Sequence, residues 1–533
     1  PYGKLSVVIT TEGHTASFDL TDGIELLAGE LAYTTKAVSG WTALEPELSV
    51  TWETNPTFEP VEITNDMKGK CNIVINAPTG IKAFTVSMLS DYLNNDIGLT
   101  ELDLLNPQGL ETNFDMLNFP YGEKILNQKT VPFDLTNAVA LLEGKSGQHI
   151  FTMNVTDNNN KTINQDITFF VPEAISATVS DIDLWKNTAT ITLNNAPEGA
   201  TVQYKRSTES EWKNTTKNPN GTFSITPSWI TEENDAGKTV YSLDNNCGVF
   251  AGATYDWQIL NGEAVVASGT FETSAGDPIE NGDMSQWCET KEMLPLFGSK
   301  KITVWYPGSS WSDSTPGFWD SSNNAGNKTA CTQDKTKNAS CAWLQASGVS
   351  LVGALASGSL FTGTFTYANM NGTASFGQKY KYTARPTALR LKYHATLGTV
   401  NYNKHNGPLE KDKDIMDQCS FTVCIVDWDT RHDVQSGTSA PKGIWDPITM
   451  GELPVDKQNG IIGYGVKYSS ENTPGTDLIP LEIPIKYYQQ TNAAPDEENK
   501  FTIIISVSTS RYGDYLNGCD KNKIYVDDFE WVY

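Results

Sequence analysis

The sequence predicts an all-β protein of several domains, and three observations lead there. The chain has 533 residues, too many for a single core. Short runs that alternate apolar and polar residues outnumber stretches of helical period. The breaks between them are rich in Thr, Asn, Ser and Gly, the composition of a secreted β protein. With 64 Asp and Glu against 38 Lys and Arg, the net charge is −26. That balance excludes a nucleic-acid partner and adhesion to anionic lipid. No run approaches the roughly 18 apolar residues of a membrane span, and no signal peptide is present. The first residues are Pro1, Tyr2 and Gly3, without an initiator Met, which is expected of a processed or trimmed product.

The elements follow in order. GKLSVVIT (3–10) and SVTWE (49–53) alternate as strands, and the segment between them is mixed; residues 1–54 form an N-terminal β segment, expected to join the first sandwich. From residue 55 the pattern is regular. NIVINAPTGIKAFTVSML reads as strand, turn, strand. FDLTNAVALLEG (133–144) predicts one short helix with Thr136 or Asn137 as its N-cap. GQHIFTMNVTDNNNKTINQDITFFV (147–171) is a hairpin whose Asn-rich turn tolerates left-handed backbone. Such a closing hairpin predicts an immunoglobulin-like sandwich over 55–173. A second sandwich spans 174–277, with Tyr255 as a corner tyrosine and Trp257 in the core. Ser274-Ala275-Gly276-Asp277-Pro278 is a composition break. Residues 278–533 form the last and largest domain, with eight of the fourteen Trp.

Eight cysteines are too few for a disulfide scaffold. Cys71 and Cys247 are expected as buried free thiols, and Cys331 and Cys341, flanking a Lys/Asn-rich turn, are a candidate pair. Cys419 and Cys424 differ by an odd number, so on one strand they face opposite ways and cannot bridge. There is no CxxC, HxH, HExxH, GxSxG or Walker-type spacing.

Three constellations could carry chemistry. The loop WYPGSSWSDSTPGFWDSSNN places Trp305, Trp311 and Trp319 beside Asp320 in a Gly/Ser-rich stretch, where rings either cap a sandwich end or stack on the C–H face of a sugar. Asp427 and Asp429 stand at i and i+2 on one strand, at a spacing that overlaps glycosidase carboxyl pairs, although neighbours on one strand cannot flank a bond from opposite sides. They are the catalytic candidates of the glycosidase alternative. Arg385, in a near-apolar strand, is expected as a buried partner of one of these carboxylates or as a ligand clamp. In the last strand, Ile524, Val526, Phe529 and Trp531 describe a dry face that Asp527 and Asp528 interrupt. A buried carboxylate needs a cation or several hydrogen bonds.

Several phrases resemble known families. Tyr2-Gly3-Lys4-Leu5 resembles the "YG-x-L" element that follows the lipidated cysteine of Bacteroides lipoproteins with carbohydrate-related modules. GATYDWQILNGEAVVASGTFET resembles the F and G strands of fibronectin type III domains. IENGDMSQW, the WYPGSSW stretch, LFTGTF, ARPTALRLKY, CIVDWD, GYG and the closing SVSTSRYGDYLNGCDKNKIYVDDFEWVY resemble, in order, the putative carbohydrate metabolism domain of gut Bacteroidetes surface proteins. That resemblance implies a jelly-roll (galactose-binding-like) fold after the tandem immunoglobulin-like sandwiches. It also implies a structural Ca²⁺ held by Asn281, Asp283 and Asp527, in the manner of jelly-roll carbohydrate-binding modules. The function it implies is non-catalytic glycan binding within a glycan-utilisation system. The protein would sit on the outer membrane by a lipidated N-terminus absent from this chain, with further proteins of a glycan-uptake complex as partners. A glycoside hydrolase and a structural or adhesive surface protein are the alternatives.

Overall fold

The computed structural model describes residues 55–59, 71–293 and 300–533 apart from 313, 325, 350–352, 412 and 491–492, together with the backbone of residues 60–63 and of the strands Ser6–Thr11, His14–Asp19, Glu30–Tyr33 and Leu48–Thr51. The element at Tyr2-Gly3-Lys4-Leu5 lies outside these residues. The protein is all-β and divides into two compact units, Pro1–Ile175 and Ser176–Tyr533.

In the first unit, a three-stranded sheet (Thr57–Ile63, Cys71–Asn76, Thr130–Asp134) and a four-stranded sheet (Thr162–Val171, Gly147–Asp157, Ile81–Leu89, Glu101–Asp103) enclose one core. The 147–171 hairpin forms as expected. Asp157 Oδ1 accepts the amides of Asn159 and Lys161 at 2.9 and 2.8 Å, and Asn160 takes φ +61°, so the turn's Asn-rich sequence is used for backbone, not for binding. The helix is shorter than predicted, Thr136–Ala140, and neither Thr136 nor Asn137 caps it by side chain. Asp134, two residues earlier, accepts the Thr136 amide at 2.9 Å, while Thr136 Oγ1 turns away to take the Cys71 amide at 3.0 Å.

The second unit opens with a sandwich of two four-stranded sheets. One holds Ser176–Asp183, Thr188–Asn194, Phe223–Ile225 and Thr216–Lys217; the other holds Lys213–Asn214, Thr201–Arg206, Thr254–Asn261 and Ala264–Glu272. Tyr255 is buried and its hydroxyl accepts the Phe250 amide at 2.9 Å, as a corner tyrosine should. Trp257 is buried as expected; a Cβ on Gly269 would meet its ring at 2.4 Å, so only glycine fits opposite it. Two further strands, Trp229–Glu233 and Thr239–Leu243, leave this sandwich and extend a ten-stranded sheet. Their sheet continues through Lys486–Tyr487, Ile461–Ser469, Cys419–Trp428, Phe501–Ser508, Ser359–Ala368, Asn371–Phe376 and His432–Gly437, with Trp319–Ser321 also on Ser359–Ala368. Strands from both sides of residue 277 thus share one sheet.

A five-stranded sheet (Cys331–Asp334, Cys341–Gln345, Lys523–Val532, Ala388–Thr396, Ile479–Pro484) faces the ten-stranded one. Their inner faces supply Phe421, Val423, Ile505, Val507, Leu391 and Val526 to the largest core. Cys419 enters this core while Cys424 enters a second one on the opposite face, as their odd spacing requires. Cys331 and Cys341 do not pair: across their hairpin Cys331 stands opposite Leu344 and Cys341 opposite Asp334, so they are out of register for a bridge and both are buried free thiols.

The carboxylates that interrupt the last strand mark a β-bulge. Arg390 pairs with Glu530 and Lys392 with Asp527, which leaves Leu391 opposite two residues, and Asp528 takes φ +52°. One extra residue shifts the inward phase from even to odd positions, from Val526 to Phe529.

Candidate functional site

The outer face of the ten-stranded sheet carries a cleft of about 860 Å³. Its floor follows from strand alternation. In CSFTV (419–423) and ISVS (505–508), Phe421, Val423, Ile505 and Val507 point into the core, so Ser420, Thr422, Ser506 and Ser508 point out. Register then aligns them: Ser420 pairs with Ser508 and Tyr468, Ser508 with Ser359, and Ser506 with Thr422 and Phe361. The result is a row of short hydroxyls across three adjacent strands, continued on a fourth by Tyr468.

Aromatic and charged residues wall this floor. Trp445, half-buried, stands edge-on to Trp428, His432 and Phe376, which fix its ring beside the cleft. On the opposing side, Arg511 lays its guanidinium 3.6 Å from the centroid of Tyr468 and donates to Gln418 Oε1 at 3.2 Å. Asp514 follows on the 3₁₀ turn Gly513–Tyr515. Its carboxylate is open to the cleft's water yet surrounded by protein, and that confinement pushes its pKa up to about 6. Glu452 also lines the cleft and accepts the Gly443 amide at 2.5 Å; Asp446 is spent capping its own turn at Ile448 and Thr449.

A buried carboxylate holds the 510–522 segment in place. Asp417 Oδ2 accepts from Ser510 Oγ at 2.7 Å, Cys519 N at 2.8 Å and Asn522 Nδ2 at 2.6 Å, and its Oδ1 takes Gln418 N at 2.7 Å. Burial outweighs these donors and raises the Asp417 pKa. Arg511 and Asp514 are positioned through this anchor.

None of the residues expected to bind ligand lines the cleft. Trp319 is fully buried in the core, its indole N–H donating to the Glu280 carbonyl at 2.7 Å, so no ring face is left for a sugar. Asp320 is buried in an ion pair with Lys291, and also accepts the amides of Phe365 at 2.6 Å and Ser321 at 2.7 Å. Trp311 is half-buried and covers that pair, with Lys291 Nζ 5.3 Å from its ring. Trp305, half-buried on the strand Ile302–Pro307, accepts Asn323 Nδ2 on its carbonyl. The aromatic loop is therefore cover over a buried charge pair. Arg385 is neither a ligand clamp nor a partner of the 427–429 carboxylates. It is 1% exposed, donates from Nε to the Trp185 carbonyl at 2.6 Å, and lies over the rings of Trp185, Trp229 and Tyr487. Asp427 and Asp429 instead share the Lys500 ammonium at 3.2 and 3.9 Å at the solvent edge of their strand, outside the cleft. With both on one side of one lysine, they cannot flank a glycosidic bond.

The opening turn and closing strand do meet, through backbone: Phe529 N donates to the Gly282 carbonyl at 2.8 Å, and a Cβ on Gly282 would meet the Phe529 carbonyl at 2.4 Å. Asn281, Asp283 and Asp527 do not fit a calcium cage as placed. Asn281 Oδ1 accepts Gln286 N and Asp283 Oδ1 accepts Ser285, each within its own turn. Asp527 takes Asn338 Nδ2 at 2.7 Å and Asp528 N at 2.8 Å. Among the described residues no group of three His, Cys, Asp or Glu is close enough to hold a metal. A cage would make thermal melting sensitive to chelator; a hydrogen-bonded Asp527 leaves it indifferent.

Asp527 instead titrates. Burial pushes its pKa up to about 6, against about 3.9 in the unfolded chain. The protonated form is the one favoured in the native state, so the stabilisation is full below about pH 4 and lost as pH rises through 6. The Ser176–Tyr533 unit is expected to gain on the order of 2 kcal/mol from this group between pH 7.5 and 4. Melting of the wild type and Asp527→Asn across that range checks it; parallel curves would refute the assignment.

The missed cleft residues left one local signal, the outward Ser and Thr of two strands that are otherwise mostly apolar. Fold and cleft together define a β-sandwich protein with a hydroxyl-floored, aromatic-walled groove. Residues 271–532 match the family described as the putative carbohydrate metabolism domain. Three solved structures are similar in part. A putative glycoside hydrolase from Bacteroides thetaiotaomicron is 15% identical, covering 64% of this chain and 98% of its own, with a TM-score of 0.29. One from Bacteroides vulgatus is 15% identical over 46% and 97%, with a TM-score of 0.32. A structure of carbohydrate-binding modules from the β-sandwich superfamily is 10% identical over 68% and 98%, with a TM-score of 0.16. Scores this low carry no argument about activity. No curated protein matches the chain.

Proposed function

We propose that the protein is a non-catalytic, cell-surface carbohydrate-binding protein of a gut Bacteroidetes glycan-utilisation system, and that the cleft on the ten-stranded sheet is its glycan site. The cleft's composition carries this reading. A floor of Ser and Thr hydroxyls can exchange hydrogen bonds with sugar hydroxyls, while Trp445 and the Arg511-backed Tyr468 offer flat surfaces to C–H faces. The carbohydrate-related domain over 271–532 supports it. In this reading a lipidated N-terminus anchors the protein in the outer membrane, and proteins of an uptake complex are its partners.

Isothermal titration of the protein against a broad glycan panel tests the reading. Trp445→Ala and Arg511→Ala are each expected to lower glycan affinity at least tenfold, about 1.4 kcal/mol. Affinity unchanged in both variants would remove the cleft as the site.

One observation favours the hydrolase alternative. Asp514 stands in the cleft with no hydrogen bond or ion pair on its carboxylate among the described residues, and its pKa is displaced upward, the direction that favours a general acid. Release of reducing ends from a bound glycan, abolished by Asp514→Asn, would establish it.

A further inference from the structure

We infer that the cleft selects neutral glycans over polyanionic ones, and that Asp514 is the residue that takes up their hydroxyls. This rests on the cleft being the glycan site. Among the described residues three carboxylates line it, Asp446, Glu452 and Asp514, against two cations, Lys404 and Arg511. Uronate- and sulfate-rich chains are held by clustered Arg and Lys, whose planar or point charges pair with each anionic group. Here Arg511 is already committed to Tyr468 and Gln418. The chain's net charge of −26 adds long-range repulsion of any polyanion.

Asp514 differs from the other two cleft acids. Asp446 and Glu452 accept backbone amides, whereas no hydrogen bond or ion pair reaches the Asp514 carboxylate among the described residues; only its main-chain carbonyl is engaged, by Ser436 Oγ at 2.7 Å. Both oxygens are therefore available, and an ionised carboxylate accepts from two vicinal sugar hydroxyls at once. Its turn packs closely on the strand end beside it: a Cβ on Gly513 would meet Ser357 Cβ at 2.8 Å, and the preceding segment is tied to Asp417 through Ser510 Oγ. An unpaired acceptor in a walled groove suits a ligand that brings donors and no negative charge.

Affinity electrophoresis of the full chain in gels containing neutral β-glucan, xylan, galactomannan, starch or fructan, and in gels containing polygalacturonate or heparin, tests this at 150 mM salt. Retardation by at least one neutral polysaccharide and by neither polyanion is expected. Asp514→Ala is expected to lose at least tenfold in affinity for that polysaccharide while melting as the wild type does. Asp514→Lys is expected to lose it too and to gain retardation by polygalacturonate. Retardation of the wild type by a polyanion alone, or equally by both kinds, overturns the selectivity and leaves the glycan reading standing. Unchanged affinity in Asp514→Ala overturns the residue's role. No retardation by any of the seven, with no heat in the broad titration panel, overturns the glycan reading itself and this inference with it.

Discussion

Lys291→Met is expected to destabilise the Ser176–Tyr533 unit by about 3–5 kcal/mol, since removing one partner of a buried ion pair strands the other charge. Both side chains are 2% exposed. Asp320 left alone would still hold the amides of Phe365 and Ser321, but two neutral donors do not replace an ammonium. Asp320→Ala is expected to cost at least as much, because it orphans those two amides as well as the ammonium. The effect should reach the cleft. Phe365 N is fixed by Asp320, and Phe365 and Tyr367 line the cleft wall. Urea unfolding of the two variants measures the stability, and glycan titration of the folded fraction measures the consequence. A cost below 1 kcal/mol for both would mean the pair is hydrated and the aromatic loop covers nothing.

Arg385→Ala is expected to cost about 3 kcal/mol or more, the second large effect. The guanidinium fills space among Trp185, Trp229 and Tyr487 and supplies the donor to the Trp185 carbonyl. Its loss opens a cavity, removes three cation–π contacts and takes the Arg385 Nε donor from the Trp185 carbonyl. These aromatics come from the 174–277 segment and from the strand Lys486–Tyr487, so the same change should loosen the joint between them. Arg385→Met keeps most of the volume and is expected to lose less than half as much. Equilibrium unfolding distinguishes the cases; equal stability of the alanine variant and the wild type would show that the rings pack without the cation.

Much of the architecture was legible from local pattern. Alternation placed the strands, the Asn-rich turn marked the 147–171 hairpin, and the parity of Cys419 and Cys424 set them on opposite faces. The same alternation carried the outward Ser420, Thr422, Ser506 and Ser508. The inference from Trp-rich composition to a sugar site failed because a loop ring and a core ring have the same sequence signature. Trp319 is fully buried, whereas Trp445, in a stretch with no distinguishing motif, lines the cleft. At Asp527 and Asp528 the phase change was visible in the sequence, yet its cause was a bulge satisfied by Asn338, far away in the chain.

By itself, then, the sequence determined the all-β class, the strands, their dry and wet faces, the free thiols at Cys71 and Cys247, and a carbohydrate-related final domain. Tertiary structure alone decided which strands are neighbours. Ser359, Ser420, Tyr468 and Ser508 become one row only because four strands distant in sequence pair in a particular order and register. It also decided that Arg385 meets three rings instead of a carboxylate, and that Asp320 meets Lys291. The physical reason is one of range. Side-chain periodicity reports whether a face is buried, while the identity of the opposing group depends on long-range pairings that no local pattern encodes.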